Sequence, residues 1–383
     1  MRLTPKTAMM QLPVSLICFD RYEYFSRVIE SIKKNKINDR KIFIFHDKPI
    51  DGGANEGYLL IKDYCHSLVN SHPETFLYVE NKFNLGIASQ WFRAISFVID
   101  FCGFPGVCIL EDDLVLSEHY LEAIDHLFSM FQHDSRIGLF SCFNPIPRDD
   151  HSGYSMMGHD WGVCIGSEAW DQIRCLYLDY IKIQATRNYN IRDSQVIKKW
   201  IDSLGLIWRD GYEGSDSVLE TLIAANRRAR IVPNINLAIP IGEIGVHFTP
   251  EVFRGMFSNV KIDDLVDFRY PNDEEIKSAT ENVILSKEVY TTALNRCCDG
   301  QESICSGINI YSDYLLYFSD FFAEIRTSSV YCGKYDNHLP CGEDVVTLIY
   351  GPYIRLYAGR YFIIIDSDTS DKIELIVYSN KKI

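Results

Sequence analysis

The sequence predicts an α/β protein with a mainly parallel sheet and helices on both faces, followed by a small all-β module. Three observations predict it. Short apolar runs alternate four times with segments whose apolar residues recur at helical spacing. Polar residues stand just past the end of each run, as at the carboxyl ends of parallel strands. From about residue 308 the texture changes to short β-type runs separated by turns.

The elements follow in order. Residues 14–19 form an apolar run of strand type, and Phe25, Val28, Ile29 and Ile32 then share one face of a helix. A second strand at 41–46 precedes a helix at 58–69, and a third at 76–79 precedes a helix at 87–101. The fourth strand, 106–110, leads to a helix lined by Tyr120, Leu121, Ile124, Leu127, Phe128 and Phe131. Four such units in succession imply a doubly wound sheet. Beyond them, 137–143 and 162–165 are strand-like, 168–176, 195–204 and 217–226 are helical, and 230–233 is a strand and turn. The expected organisation is a first domain over 1–250, a polar linking segment over 251–307, and a β-rich module over 308–383. That module is short for a complete sandwich, which suggests a truncated version of something longer.

Composition narrows the partners. A formal charge of −14 over 383 residues argues against a nucleic-acid partner, which draws on clustered Lys and Arg. It is compatible with a nucleotide diphosphate whose charge a metal neutralises. No run of 18 apolar residues exists, and residues 1–12 lack the apolar stretch of a signal peptide. Of the 12 cysteines, Cys18, Cys108, Cys142 and Cys164 lie inside apolar runs and read as packed free thiols of a reducing compartment. Cys297, Cys298, Cys305, Cys332 and Cys341 lack the paired spacing of a zinc site. The expected location is cytoplasmic, with the inner face of a membrane as a peripheral station.

In doubly wound sheets, ligands bind beyond the carboxyl ends of the strands. The residues there are Asp20-Arg21, Asp47, the stretch from Asn81 to Asn84, and Glu111-Asp112-Asp113. Three consecutive carboxylates repel one another unless a cation or hydrogen-bond donors compensate. A hard ion such as Mn²⁺ or Mg²⁺ takes oxygen ligands and bridges to phosphates. The plain alternative is a solvated acidic turn before the next helix.

The chain from 13 to 250 resembles GT-A-fold glycosyltransferases. The strand ending at Asp20-Arg21 resembles their opening strand, and Asn84-Leu85-Gly86 resembles the Asn-x-Gly before their next helix. Ile109-Leu-Glu-Asp-Asp113 is similar to the acidic cluster of the N-acetylglucosaminyltransferase I group, and other segments resemble family-2-like bacterial members. Among these are Pro233 to Gly242 and Gly245-Val-His247, while Trp161 to Trp170 resembles the Trp/Gly strand and following helix of the GT-A fold. The resemblance implies a nucleotide-sugar donor, with a UDP-sugar favoured, and a glycan or glycolipid acceptor, as in polysaccharide biosynthesis. It implies donor contacts from Phe19, Asp20, Arg21, Asp47, Asn84, Glu111 and Asp112, with the metal on Asp113 and His247. The departures are the absence of a literal DxD and the presence of Pro240 ahead of Ile-Gly.

An inverting transferase also needs a carboxylate to take the acceptor's proton. Asp216, ahead of the helix at 217–226, is the candidate base, although an Asp there also suits a helix N-cap. Glu213 is the nearest substitute, and Trp161, preceded by His159-Asp160, is a candidate stacking surface for the acceptor. Two other readings compete: a sugar nucleotidyltransferase, and a non-catalytic carbohydrate-binding or scaffold protein. The first is disfavoured because the loop after the first strand, from Cys18 to Tyr24, contains no Gly.

Overall fold

The computed structural model describes residues 10–281, apart from 36, 38, 51–54, 82–83, 147–152, 157–160, 186–192, 205–213, 246–247 and 264–267. The β-rich module expected at 308–383 and most of the linking segment lie outside the described residues. So do Glu213, His247, His159 and Asp160.

The parallel half of the sheet is built as the alternation predicts. Strands β1 (Val14–Cys18), β2 (Ile42–His46), β3 (Phe76–Glu80) and β4 (Gly106–Glu111) lie in the order β3-β2-β1-β4, all parallel. Helices α1 (Tyr22–Lys34), α2 (Glu56–Ser71) and α3 (Gly86–Ser96) connect them, and a π-helical turn, Phe97–Phe101, extends α3. Aliphatic and aromatic side chains fill both faces of these strands. Val14, Leu16 and Cys18 enter one core with Ile42, Ile44, Cys108 and Leu110. Ile17 enters the other with Phe43, Phe45, Val107 and Ile109. Each large apolar side chain among them, fully buried, contributes roughly 1.5–3 kcal/mol. Burial on both faces is why these runs are continuously apolar instead of alternating.

Past β4 the chain enters a short strand β5 (Leu114–Leu116) and then helix α4 (Tyr120–Phe131). The sheet continues through β6 (Ile137–Phe140), β7 (Tyr154–Met156), β8 (Val163–Gly166) and β9 (Ala229–Pro233), giving the full order β3-β2-β1-β4-β8-β6-β9-β7. This half is mixed: β8 runs antiparallel to β4 and β6, while β6 and β9 are parallel. Helices α5 (Ser167–Ala185), α6 (Ser194–Ser203) and α7 (Ser215–Ala225) supply much of the second core. Strand β10 (Ala238–Pro240) leaves the main sheet and pairs antiparallel with β5, Pro240 opposite Leu114.

The segment from 251, expected to begin a link, carries two helices that pack on the domain. Helix α8 (Pro250–Phe257) is capped by Thr249, whose side chain accepts from the Val252 N–H. It buries Phe253 and Phe257, and α9 (Asp273–Glu281) buries Ile276 in the same core. Few β-type residues mark this stretch, although Val252, Phe253, Met256 and Phe257 recur at helical spacing. Among the described residues, no helix is long and apolar enough to cross a membrane. Cys18, Cys108, Cys142 and Cys164 are buried free thiols.

Candidate functional site

The sheet order places the site. From β1 the chain winds outward to β2 and β3, then returns to place β4 on the other side of β1. The winding direction therefore reverses between β1 and β4, and the connections leave a crevice beyond those two strand ends. Ile17 stands opposite Glu111 in the register, so the two chains run out of the sheet side by side. One delivers Asp20-Arg21 and the other Glu111-Asp112-Asp113.

Arg21 spans the acids. One guanidinium nitrogen, Nη2, donates to Asp112 Oδ1, and Nη1 lies 3.0 Å from Asp113 Oδ2. Asp112 and Asp113 are only 3% and 7% exposed, and Asp112 Oδ2 and Asp113 Oδ1 are buried without a hydrogen-bond partner. Burial pushes the Asp112 carboxyl up to about 6, against the pull of Arg21. Glu111 is half-buried and accepts a 3.1 Å hydrogen bond from the Trp91 indole N–H. Burial, then the charges of Asp113, Asp216 and Asp112, push Glu111 up to about 8, with Arg21 opposing. For Arg21, burial works to lower the pKa, but Asp112, Asp113 and Glu111 outweigh it and hold the group above its ordinary value. The cluster is thus a concentration of negative charge that one guanidinium only partly offsets.

The acids are held from below by the ribbon. The Ile241 N–H donates to the Asp113 carbonyl at 2.7 Å, bringing the chain after β10 under the cluster. Gly242 packs so closely that a β-carbon on it would stand 2.3 Å from Asp113 Oδ2. Farther along, the Ile244 N–H reaches the Tyr24 hydroxyl at 3.4 Å, and the Tyr24 ring lies 5.5 Å from the Arg21 guanidinium carbon. In the sequence, Gly242 stands out only as part of a run resembling the family. Its contact with Asp113 spans about 130 positions, which no local pattern encodes.

Asp47 and Asn84 meet, but as parts of the wall. Asp47 Oδ1 accepts from the N–H groups of Lys48 and Leu85 and from Asn81 Nδ2, at 3.0, 2.8 and 2.9 Å. Its Oδ2 accepts from the Gly86 N–H at 2.8 Å and from Asn84 Nδ2 at 3.2 Å. Five donors engage this carboxylate, which secures the first turn of α3. Gly86 sits there with φ of 73°, a left-handed conformation that favours glycine. Burial raises the Asp47 carboxyl, and the hydrogen bonds from Leu85, Asn81 and Gly86 oppose it. To read a base or ribose, Asp47 would have to give up one of these bonds.

Sequence reasoning missed His46. It is fully buried at the end of β2, with Nε2 2.6 Å from the Phe19 carbonyl and Nδ1 2.7 Å from the Tyr78 hydroxyl. A carbonyl only accepts, so the proton sits on Nε2 and Nδ1 accepts from Tyr78. Burial pulls the imidazole down to about 4, against the raising effect of the Phe19 bond, so it is neutral at pH 7. His46 ties down the backbone just before Asp20. A lone His at a strand end gives no signal of this.

Asp20 accepts from Asn55 Nδ2 at 2.8 Å and lines an open hollow with Arg21, Tyr24, Glu56 and Gly57. Asp216 is exposed in the first turn of α7. The N-cap position belongs to Gly214, not to Ser215 or Asp216, and the Asp216 carboxylate accepts from the adjacent Ser217 N–H at 2.8 Å. Its charge is felt at Glu111, whose carboxyl it helps to raise. Trp161 is half-buried in an aromatic cluster, with ring centroids 5.6, 6.0 and 5.3 Å from those of Phe143, Phe248 and Phe257. Trp170 is core, its indole N–H donating to Asp100 at 3.0 Å.

Among the described residues, no group of three or more His, Cys, Asp or Glu side chains converges on one metal position. The donor set still suits a hard cation. Two buried carboxylate oxygens lack partners, and a hard ion held by one or two carboxylates completes its shell with water and substrate phosphates.

Comparisons with protein-family models and with curated proteins find no match. Among solved structures, the chain is similar to TarS of S. aureus, at 9% identity and a TM-score of 0.37, over 82% of this chain and 49% of TarS. It is similar to the mannosyltransferase PcManGT from Pyrobaculum calidifontis in complex with GDP-Man and Mn²⁺. That match has 11% identity and a TM-score of 0.38, over 82% of this chain and 83% of the other. It is also similar to the galactosyltransferase LgtC, at 11% identity and a TM-score of 0.28, over 54% and 69% of the two chains. The chain thus spans about half the length of TarS. With TM-scores below 0.5, these likenesses identify neither a substrate nor an activity for this chain.

Proposed function

We propose that the protein is a metal-dependent glycosyltransferase that moves a sugar from a nucleotide-diphosphate donor to a hydroxyl of a glycan or glycolipid. One observation carries the reading. Arg21 and the acids Glu111, Asp112 and Asp113 meet at the point where the winding of the sheet reverses, with buried acceptor oxygens left unpartnered. A nucleotide diphosphate supplies what this place lacks, namely an anion for Arg21 and phosphate oxygens to share a cation with Asp113.

Asp113 is the residue that would hold Mn²⁺ or Mg²⁺, with His247 as the further ligand suggested by the sequence resemblance. The bound ion would offset charge on the departing diphosphate. Glu111 and Asp112 orient the donor, and Trp91 fixes the Glu111 carboxyl from behind. Phe19 and Asp20 form the floor toward the nucleoside, in a position that His46 secures. Asp216, exposed in the first turn of α7, takes the proton of the acceptor hydroxyl as that hydroxyl displaces the diphosphate directly, with inversion at the sugar carbon. A UDP-sugar is the favoured donor, and the cytoplasm is the compartment where such donors and free thiols coexist.

The test is Asp113→Ala. It should abolish metal-dependent turnover of nucleotide sugars and keep the circular-dichroism spectrum of the parent. Unchanged turnover would remove the metal assignment. Absence of calorimetric binding of uridine or guanosine diphosphate with Mn²⁺, at millimolar nucleotide, would remove the transferase reading.

A further inference from the structure

We propose that Arg21 is an exchangeable counter-cation. In the free protein its guanidinium holds the place on Asp112 and Asp113 that a divalent cation takes when a nucleotide diphosphate arrives, and the released guanidinium then turns to the diphosphate. The proposal rests on the function proposed above and goes beyond it in assigning one residue two successive partners.

The geometry points to exchange. Arg21 does not grip one carboxylate with both nitrogens, the usual fork arrangement. It places Nη2 on Asp112 and Nη1 on Asp113, bridging two carboxylates as a divalent ion would. Both acids are more than nine-tenths buried, and each keeps one oxygen without a hydrogen bond. The guanidinium therefore engages one oxygen of each carboxylate. A cation on Asp113 and a guanidinium on the same carboxylate repel each other, so the two sharing Asp113 Oδ2 is disfavoured.

Arg21 also has somewhere to go. Its side chain is 32% exposed, against 4% and 9% for those of its two partners, so Arg21 is the member of the set most open to solvent. It lies along the open hollow lined by Asp20, Tyr24, Glu56 and Gly57, with the Tyr24 ring beside it as a resting surface. Asp113 has no such freedom, because Gly242 and the Ile241 N–H fix it from below.

The experiment is a Mn²⁺ titration of the full chain without nucleotide, following free Mn²⁺ by electron paramagnetic resonance. Arg21→Gln should bind Mn²⁺ at least tenfold more tightly than the parent, and the gain should vanish when Asp113→Asn is added. Arg21→Lys, a single point charge that cannot span both acids, should give a smaller gain and serves if the glutamine variant does not fold. Affinity equal to or below that of the parent in the folded variants, or a gain that survives Asp113→Asn, overturns the exchange. With saturating Mn²⁺, Arg21→Gln should bind uridine diphosphate at least fivefold more weakly, and an unchanged affinity overturns the second half of the proposal. A parent that binds no nucleoside diphosphate sinks the transferase reading instead, and the Mn²⁺ comparison alone still decides whether Arg21 stands in a cation's place.

Discussion

Gly242 and Asp113 are in contact so close that position 242 admits no side chain without moving the carboxylate. A β-carbon there would fall 2.3 Å from Oδ2, 2.9 Å from Cγ and 3.1 Å from Cβ of Asp113. The ribbon of β5 and β10 enforces this approach, through Pro240 opposite Leu114 and the Ile241 N–H on the Asp113 carbonyl. The direction of the candidate metal ligand is thus set by a residue with no side chain of its own.

Gly242→Ala should therefore displace the Asp113 carboxylate. We expect a stability loss of about 1–3 kcal/mol, typical of overpacking, and a larger effect on metal-dependent nucleotide binding. Thermal unfolding and calorimetry with nucleoside diphosphate and Mn²⁺ measure the two separately. Wild-type binding in the alanine variant would show that Asp113 orientation is irrelevant.

Asp216→Asn keeps the bond to the Ser217 N–H, since the amide oxygen still accepts. Because Asp216 is exposed, stability should change by no more than about 0.5 kcal/mol. Transfer to an acceptor should fall by about 10²–10⁴-fold, the usual worth of a general base, while donor binding persists. Full transfer activity would assign the base elsewhere, with Glu213 next in line.

The acids also set a pH dependence. Glu111 is raised to about 8 and Asp112 to about 6, so the folded chain binds protons more tightly than the unfolded one. The stabilising contribution of protonated Glu111 is fully present below its unfolded pKa, near 4.5, and is lost as pH rises through about 8. The unliganded protein should accordingly lose thermal stability between about pH 5 and pH 8 through this group. Glu111→Gln, which still accepts from the Trp91 indole, should flatten that part of the profile. An identical slope in parent and variant would mean that Glu111 ionises normally.

Asp47→Ala removes five hydrogen bonds around the first turn of α3, including those from the Leu85 and Gly86 N–H groups. Leaving several buried donors unpaired should cost at least about 2–4 kcal/mol. Denaturant unfolding would report it. Asp47→Asn should recover part of the loss, because the amide oxygen still accepts from some of these groups. A near-neutral alanine variant would mean that water replaces the carboxylate and that Asp47 is free to read a ligand.

The first 131 residues show how far periodicity reaches. Apolar runs at 14–19, 41–46, 76–79 and 106–110, each followed by helical spacing, correspond to β1 to β4 and the helices after them. The acidic triplet is legible because it directly follows the fourth such run. The strands β5, β7 and β10 are not, since three-residue pairings carry too little pattern to separate from loops. Helix α8 has helical spacing at Val252, Phe253, Met256 and Phe257 but lasts only 8 residues, and in α9 Ile276 is a single large apolar anchor, so both resemble linker in the sequence. The cap of α7 is Gly214, because Ser215 and Asp216 have capping chemistry but already lie inside the helix.

By itself, the sequence determined that parallel strands would end in carboxylates and an arginine, because alternation and strand-end polarity are local properties of the chain. Only the tertiary structure decided that β4 returns to the far side of β1, placing Arg21 against Asp112 and Asp113. It also decided that Gly242 would aim Asp113 and that His46 would anchor Phe19. These contacts join residues from 27 to about 130 positions apart. Their energies depend on burial and close packing, which exist only once the sheet has formed.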